Sequence, residues 1–144
     1  MRLAKVVQPV ISGAGATFTL TERDSGSLFL FDRAAGITVT LPRPRVGLTF
    51  DFAVSILGTG PYKVITNAST QFVRGTVTLD IEDSATGKGF TANGTTHVAV
   101  NSLSAETGWL LGGHYRLTCV STTVWEVTGT LMSSGTITTP FTTT

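Results

Sequence analysis

The sequence predicts an all-β domain, specifically an antiparallel β-sandwich, with a jelly-roll-like or β-tulip-like barrel as a related form. Three observations predict it. Apolar residues alternate with polar ones along most of the chain, glycine-containing turns separate these runs, and threonine supplies 27 of the 144 residues. Alternation with a period of two places one side of a strand on a core. β-branched threonine suits the half-exposed side of such strands.

About nine strands are expected, and the clearest alternating runs lie at residues 36–42, 48–56, 73–81, 114–119 and 124–131. Residues 28–31 are apolar on both faces, which predicts a strand that is covered on both sides. Asn93-Gly94 predicts a two-residue hairpin. No segment shows a helical apolar stripe, and we expect only a short helical turn within residues 102–111.

The two ends differ from the middle of the chain, which predicts a β-sandwich domain over residues 16–132 with an arm on each side. Residues 1–15 mix Val6, Val7, Val10 and Ile11 with Pro9 and two glycines. Residues 133–144 are Ser, Thr, Gly and Pro with Ile137 and Phe141 as their only large apolar residues. Such arms suit strand addition to a neighbouring subunit, and simple terminal disorder is the alternative. The predicted partner-binding anchors of the arms are Val6, Val7, Pro9, Val10, Ile11, Ile137 and Phe141.

The charge balance argues against some partners. The net charge is +1 and only 13% of residues are charged, so there is no basic field to attract nucleic acid. No apolar run approaches the length of a membrane span, and the first 14 residues lack the apolar core of a signal peptide. A surface so poor in charge is easier to understand if copies of the chain or another partner cover much of it.

The reactive side chains do not form a recognisable catalytic or metal-binding pattern, so we expect no catalytic residues, no metal and no cofactor. His97 and His114 are far apart and lie opposite apolar faces, which predicts surface positions. Cys119, the single cysteine, falls on the predicted inward face and is expected to be a buried structural thiol. Residues 86–89 (TGKG) lack the phosphate-loop spacing, and the acidic residues at 80–83 lack a calcium-loop spacing.

Trp109 is the remaining candidate for binding, because it lies outside any clean alternation in the segment ETGWLLGG. An exposed tryptophan there would suit a protein interface or stacking on a sugar ring. The alternative is that it plugs one end of the core, since large aromatic side chains are mostly buried.

Three stretches carry a resemblance to a known class of protein: residues 18–32 (FTLTERDSGSLFLFD) with 35–42 (AGITVTLP), residues 47–54 (GLTFDFAV) and residues 115–129 (YRLTCVSTTVWEVTG). In this order they resemble small β-rich virion proteins of tailed bacteriophages, and are similar to capsid decoration (cement) proteins and to domains of phage fibres. The resemblance concerns turns and strand faces over residues 16–130 and carries no binding residues to transfer.

The resemblance implies a protein of the outer capsid surface, made in the host cytoplasm, that bridges neighbouring subunits of the major capsid protein. It also implies self-association, as a homotrimer in preference to a dimer. The alternatives are a tail or head-fibre module that binds a host receptor and a carbohydrate-binding β-sandwich domain with Trp109 in its platform. An enzyme is the least expected.

Overall fold

Strands occupy the alternating runs, and shorter strands occupy parts of both predicted arms. The computed structural model describes residues 7–144. In chain order its strands are β1 (Val10–Ser12), β2 (Thr17–Thr19), β3 (Leu28–Phe31), β4 (Ile37–Thr40), β5 (Thr49–Val54), β6 (Tyr62–Ile65), β7 (Phe72–Ile81), β8 (Gly87–Asn93), β9 (Ala99–Ser102), β10 (Leu110–Cys119), β11 (Val124–Ser133) and β12 (Phe141–Thr142). The described residues form twelve strands where the sequence predicted about nine. Three of the twelve, β1, β2 and β12, are no longer than three residues. Single 3-10 turns lie at Glu22–Asp24 and, inside the predicted segment, at Ala105–Thr107.

The strands form two sheets with one core between them, which confirms the all-β sandwich. The larger sheet has the order β1-β3-β5-β10-β11-β7-β8 and the smaller sheet has the order β12-β9-β6-β4-β2. Both sheets are mixed and not purely antiparallel: β3 runs parallel to β1 and β5, β4 runs parallel to β2 and β6, and β11 runs parallel to β7.

Four of these five parallel pairs, all except β7 with β11, arise because the first seven strands alternate between the sheets. Odd-numbered strands from β1 to β7 lie in the larger sheet and β2, β4 and β6 lie in the smaller one. Sheet neighbours such as β3 and β5 are therefore two strands apart in the chain and run in the same direction. Within the described part of the chain, tight hairpins join only β7 to β8 and β10 to β11.

The predicted hairpin at Asn93-Gly94 is wrong, since this turn carries the chain from β8 in the larger sheet to β9 in the smaller one. Gly94 has a φ of 75°, as the motif requires. The Asn93 side chain sets the direction of the turn, because its Oδ1 atom accepts hydrogen bonds from the backbone N–H groups of Thr95 and Thr96, both at 3.0 Å.

Aromatic rings fill the centre of the core. Phe31 of the larger sheet stacks on Tyr62 of the smaller sheet with ring centroids 4.8 Å apart, and Phe52 stacks on Tyr115 at 5.2 Å. Trp125 is completely buried. Phe29 and Phe31 of β3 face the core, and its two leucines are half-buried on the outer face. The predicted coverage of both faces is therefore only partial.

Each connecting loop lies at one of two opposite ends of the sandwich. We call the end that holds loops 13–16, 32–36, 55–61, 82–86, 103–109 and 134–140 the apical end. The basal end holds loops 20–27, 41–48, 66–71, 94–98 and 120–123 and receives the chain just before β1.

Candidate interaction surfaces

The described part of the N-terminal arm lies along the edge of the larger sheet. Val10, Ile11 and Ser12 pair with β3, and the Pro9 carbonyl oxygen accepts a hydrogen bond of 2.8 Å from the Leu28 backbone N–H. Among the predicted anchors, Val7 is 70% exposed and Val10 is also exposed, whereas Ile11 packs against the core. Val6 lies outside the described residues. This segment is therefore attached to its own domain but keeps apolar side chains available.

A polar cluster on the outer face of the larger sheet fixes the start of this segment. Asp51 is only 4% exposed although it lies opposite the core. Its Oδ1 atom accepts a hydrogen bond from Arg116 Nε at 2.7 Å, and its Oδ2 atom accepts bonds from Arg116 Nη2 at 2.9 Å and from Gln8 Nε2 at 2.6 Å. We call Gln8, Asp51 and Arg116 the N-terminal clasp.

The clasp keeps the carboxylate ionised. The hydrogen bonds from Arg116 hold the pKa of Asp51 below its usual value, and the Gln8 bond and the charge of Arg116 act in the same direction, whereas burial opposes them. A charged, bidentate Arg–carboxylate pair is a strong and directional contact. The sequence placed Asp51 on the solvent side of its strand, and only the pairing of β5 with β10 brings Arg116 to it.

The C-terminal arm is packed against its own domain, which corrects our interpretation of Ile137 and Phe141 as anchors for a partner. Phe141 is 4% exposed, Ile137 is also buried, and both belong to the core. β12 pairs with β9 and closes that edge of the smaller sheet. The physical reason is that β9 offers an unpaired edge and an apolar space that these two side chains fill. The sequence cannot show a site of this kind.

The apical end carries a group of exposed apolar side chains that the sequence did not single out. We call this the apical apolar surface: Ile56, Leu57, Leu103 and Leu111, each between 41% and 55% exposed. Two of its loops are joined, since the Gly58 N–H donates to the Trp109 carbonyl oxygen at 3.4 Å. Clustered exposure of large apolar side chains marks interaction surfaces, whereas single exposed residues are ordinary.

Trp109 lies beside this surface and is half-buried. A Cβ atom placed on Gly58 would lie 3.1 Å from the Trp109 side chain, so the indole packs closely on the loop before β6. The side chain also contacts the edge of the core. Trp109 is thus neither an exposed binding residue nor a fully buried plug of the core, the two positions that the sequence allowed.

Local signals for the apical apolar surface were present in the sequence. Ile56-Leu57 and Leu110-Leu111 are apolar pairs directly before glycine. Leu110 and Leu111 lie in β10, where adjacent residues point to opposite faces, so one of them had to face outward. The alternation over 48–56 placed Ile56 on the core side, but β5 ends at Val54 and both Ile56 and Leu57 are exposed. β10 also contains an irregularity between Leu110 and His114, which no alternation rule anticipates.

The outer faces of both sheets are rich in threonine. On the larger sheet, Thr76 and Thr78 of β7 lie in register with Thr128 and Thr130 of β11. On the smaller sheet, Thr17 and Thr19 of β2 lie in register with Thr38 and Thr40 of β4. These faces offer hydroxyl and methyl groups, and on the larger sheet they also carry two ion pairs, Arg116 with Asp51 and Arg74 with Glu126.

The reactive groups lie apart. Cys119 is buried, and burial raises the pKa of its thiol, as expected for a structural cysteine. His114 is exposed on β10, and the half-buried ring of His97 lies 5.8 Å from that of Phe141. Within residues 7–144 no three His, Cys, Asp or Glu side chains are grouped to hold a metal. No helix in this part is long and apolar enough to cross a membrane.

A shallow open pocket of about 350 Å³ lies at the basal end. Its lining is uncharged and includes Ile65, Asn67, Val98 and the last two threonines. It offers no acid, base or cation to a ligand.

Comparisons of the chain with protein-family models, with curated proteins and with solved structures found no match.

Proposed function

We propose that this chain is a structural protein that acts in several copies, and that it decorates the outer surface of a tailed-phage capsid and stabilises it by bridging neighbouring capsid subunits. The observation that carries the proposal is the apical apolar surface, four large exposed side chains on one end of a tightly packed two-sheet body. A body of this kind supports function through surface contact.

Three further features support the proposal. The outer sheet faces are threonine-rich, the charges of Asp51 and Glu126 on the larger sheet are paired with arginines, and the net charge of +1 is compatible with close association in many copies. The N-terminal clasp fixes the described arm without burying Val7 and Val10. The resemblance of residues 16–130 to phage decoration proteins supplies the particular assembly, the major capsid protein as partner and the outer surface of the virion as location.

Binding to phage heads tests the proposal. The purified full chain is mixed with heads assembled from the major capsid protein of a tailed phage alone, and the heads are sedimented. We expect saturable co-sedimentation with a fixed number of copies per head, because bridging sites between capsid subunits are finite. Binding to host cells without binding to heads would instead support a receptor-binding fibre module.

A further inference from the structure

The two ends of the sandwich carry opposite charge. The apical loops hold four acidic side chains and one basic one, and the basal loops hold two acidic and three basic ones. The apical charges are Asp32, Arg33, Glu82, Asp83 and Glu106, and the basal charges are Glu22, Arg23, Asp24, Arg43 and Arg45.

Both ends also expose apolar side chains. The apical apolar surface lies at one end, and Val7 and Val46 are exposed at the other. An end whose loops are net acidic and expose apolar side chains complements an end whose loops are net basic and expose apolar side chains, although Arg45 is already paired with Glu22 at the basal end. Two apical ends brought together would oppose like charges, which costs affinity and selects against that arrangement.

Val7 lies far from the apical apolar surface of its own copy. In the strand register Val10 is level with Leu28, Asp51 and Arg116, so Val7 lies about eight residues of strand from the level of Ile56. Eight residues of strand span roughly 26 Å. A contact between Val7 and an apical apolar surface therefore requires a second copy.

We propose that the apical end of one copy binds the basal end of a second copy, head to tail. The proposal deepens the proposed function and rests on the part of it that has the chain acting in several copies. Attachment to a capsid is not required. A head-to-tail contact uses two different surfaces, so it forms a ring if the rotation closes and a filament if it does not. A closed ring is compatible with the expected trimer.

Charge reversal at each end separates this arrangement from others. The apical variant is Asp83→Lys with Glu106→Lys, and the basal variant is Arg43→Glu with Arg23→Glu. Thr91→Glu, exposed on the outer face of the larger sheet and opposite Thr76, is the matched control. The mass of each protein is measured by sedimentation velocity over a range of concentrations, and circular dichroism and the melting temperature establish that each variant is folded.

We expect the wild-type chain and the control to form an oligomer of the 15.1 kDa protomer. Each end variant should associate at least about tenfold more weakly, a loss of about 1.4 kcal/mol. An equal mixture of the two end variants should recover association in open chains and in rings with an even number of copies, because the two variants can alternate there and each reversed end then meets an end of opposite charge. A pairing through two apical ends predicts instead that the basal variant associates like the wild type, and that result would overturn the proposal.

Apolar substitutions provide a second, independent measurement. Leu57→Ser at the apical end and Val46→Ser at the basal end should each weaken association, whereas Thr76→Ser, exposed on the outer face of β7, should not. A wild-type chain that stays monomeric at every concentration overturns the proposal. If the wild-type chain stays monomeric and still saturates phage heads, the head-to-tail contact is wrong and the decoration function stands. If the wild-type chain forms the oligomer but neither it nor any variant binds heads, the decoration function is wrong and the head-to-tail contact stands.

Discussion

Gly129 shows how closely the larger sheet packs around one aromatic ring. Its φ is 153°, and a Cβ atom there would lie 2.4 Å from both the His114 carbonyl oxygen and the Tyr115 Cα atom. β10 and β11 pair at this point, with Tyr115 directly opposite Gly129. Any side chain would force the two strands apart, so glycine is required by the close approach as well as by the backbone conformation.

Gly129→Ala should therefore lower the free energy of unfolding by about 3 kcal/mol, through overpacking added to backbone strain. Gly47→Ala is the matched control, because Gly47 has a φ of 96° with nothing within 4 Å of its added Cβ atom. The control should cost only about 1 kcal/mol. Urea denaturation of both variants measures the difference, and equal losses would show that the contact with β10 contributes nothing.

Asp51 predicts how stability depends on pH. Because the Arg116 hydrogen bonds lower its pKa in the folded state, the contribution of this carboxylate is complete above its unfolded pKa of about 3.9. That contribution is lost as the pH falls through the lower folded pKa. Asp51→Asn should cost about 2 kcal/mol at pH 7 and flatten the fall in stability below pH 4.

Glu126→Gln is the control for that prediction. Glu126 pairs with Arg74 at 2.6 Å, but both side chains are about half exposed, and exposed pairs contribute little. Denaturant titrations from pH 2 to pH 7 compare the variants. A pH dependence in Asp51→Asn that matches the wild type would contradict the role given to the clasp.

The strands themselves were largely predictable from the sequence, because alternation fixes which residues face inward. The runs at 48–56 and 114–119 became β5 and most of β10, with Phe50, Phe52, Tyr115 and Leu117 in the core as expected. Strand pairing was not predictable, since it depends on whether a turn folds a strand back or carries it to the other sheet. Asn93-Gly94 has hairpin chemistry, yet the capping by the Asn93 side chain directs the chain across the core.

The same limit explains the candidate surfaces. The exposure of Leu103 and Leu111 depends on where loops from different strands meet, and the burial of Phe141 depends on the free edge of β9. That the protein acts by contact stays a prediction from composition, and so do the anchors of the first arm, of which Val7 and Val10 are exposed. The burial of the second arm could be recognised only from the tertiary structure.

β12 gives a test of the corrected C-terminal segment. Phe141→Ala should lower the free energy of unfolding by about 3 kcal/mol, because a large side chain leaves the core and a cavity remains. Thr143→Ala, two residues away and exposed, should change it by less than about 0.5 kcal/mol. Thermal and urea denaturation measure both variants. Equal stability of the two would mean that residues 133–144 form a free arm after all.

The whole domain combines a rigid interior with ends of different character. Aromatic stacking links the two sheets, and the apical and basal ends differ in charge and both expose apolar side chains. A rigid body with several contact surfaces gains strength from binding at more than one place at once, since the second contact is intramolecular. In a capsid, such bridging appears as slower opening of the shell, which is a kinetic form of stability.

The rate at which phage heads open on heating tests the proposed function most directly. Heads assembled from the major capsid protein alone are heated with increasing amounts of the full chain, and opening is followed by the release or exposure of their contents. The account predicts that opening slows in proportion to occupancy and reaches a plateau when the sites are full. Heads that bind the chain to saturation and still open at the rate of undecorated heads would contradict it.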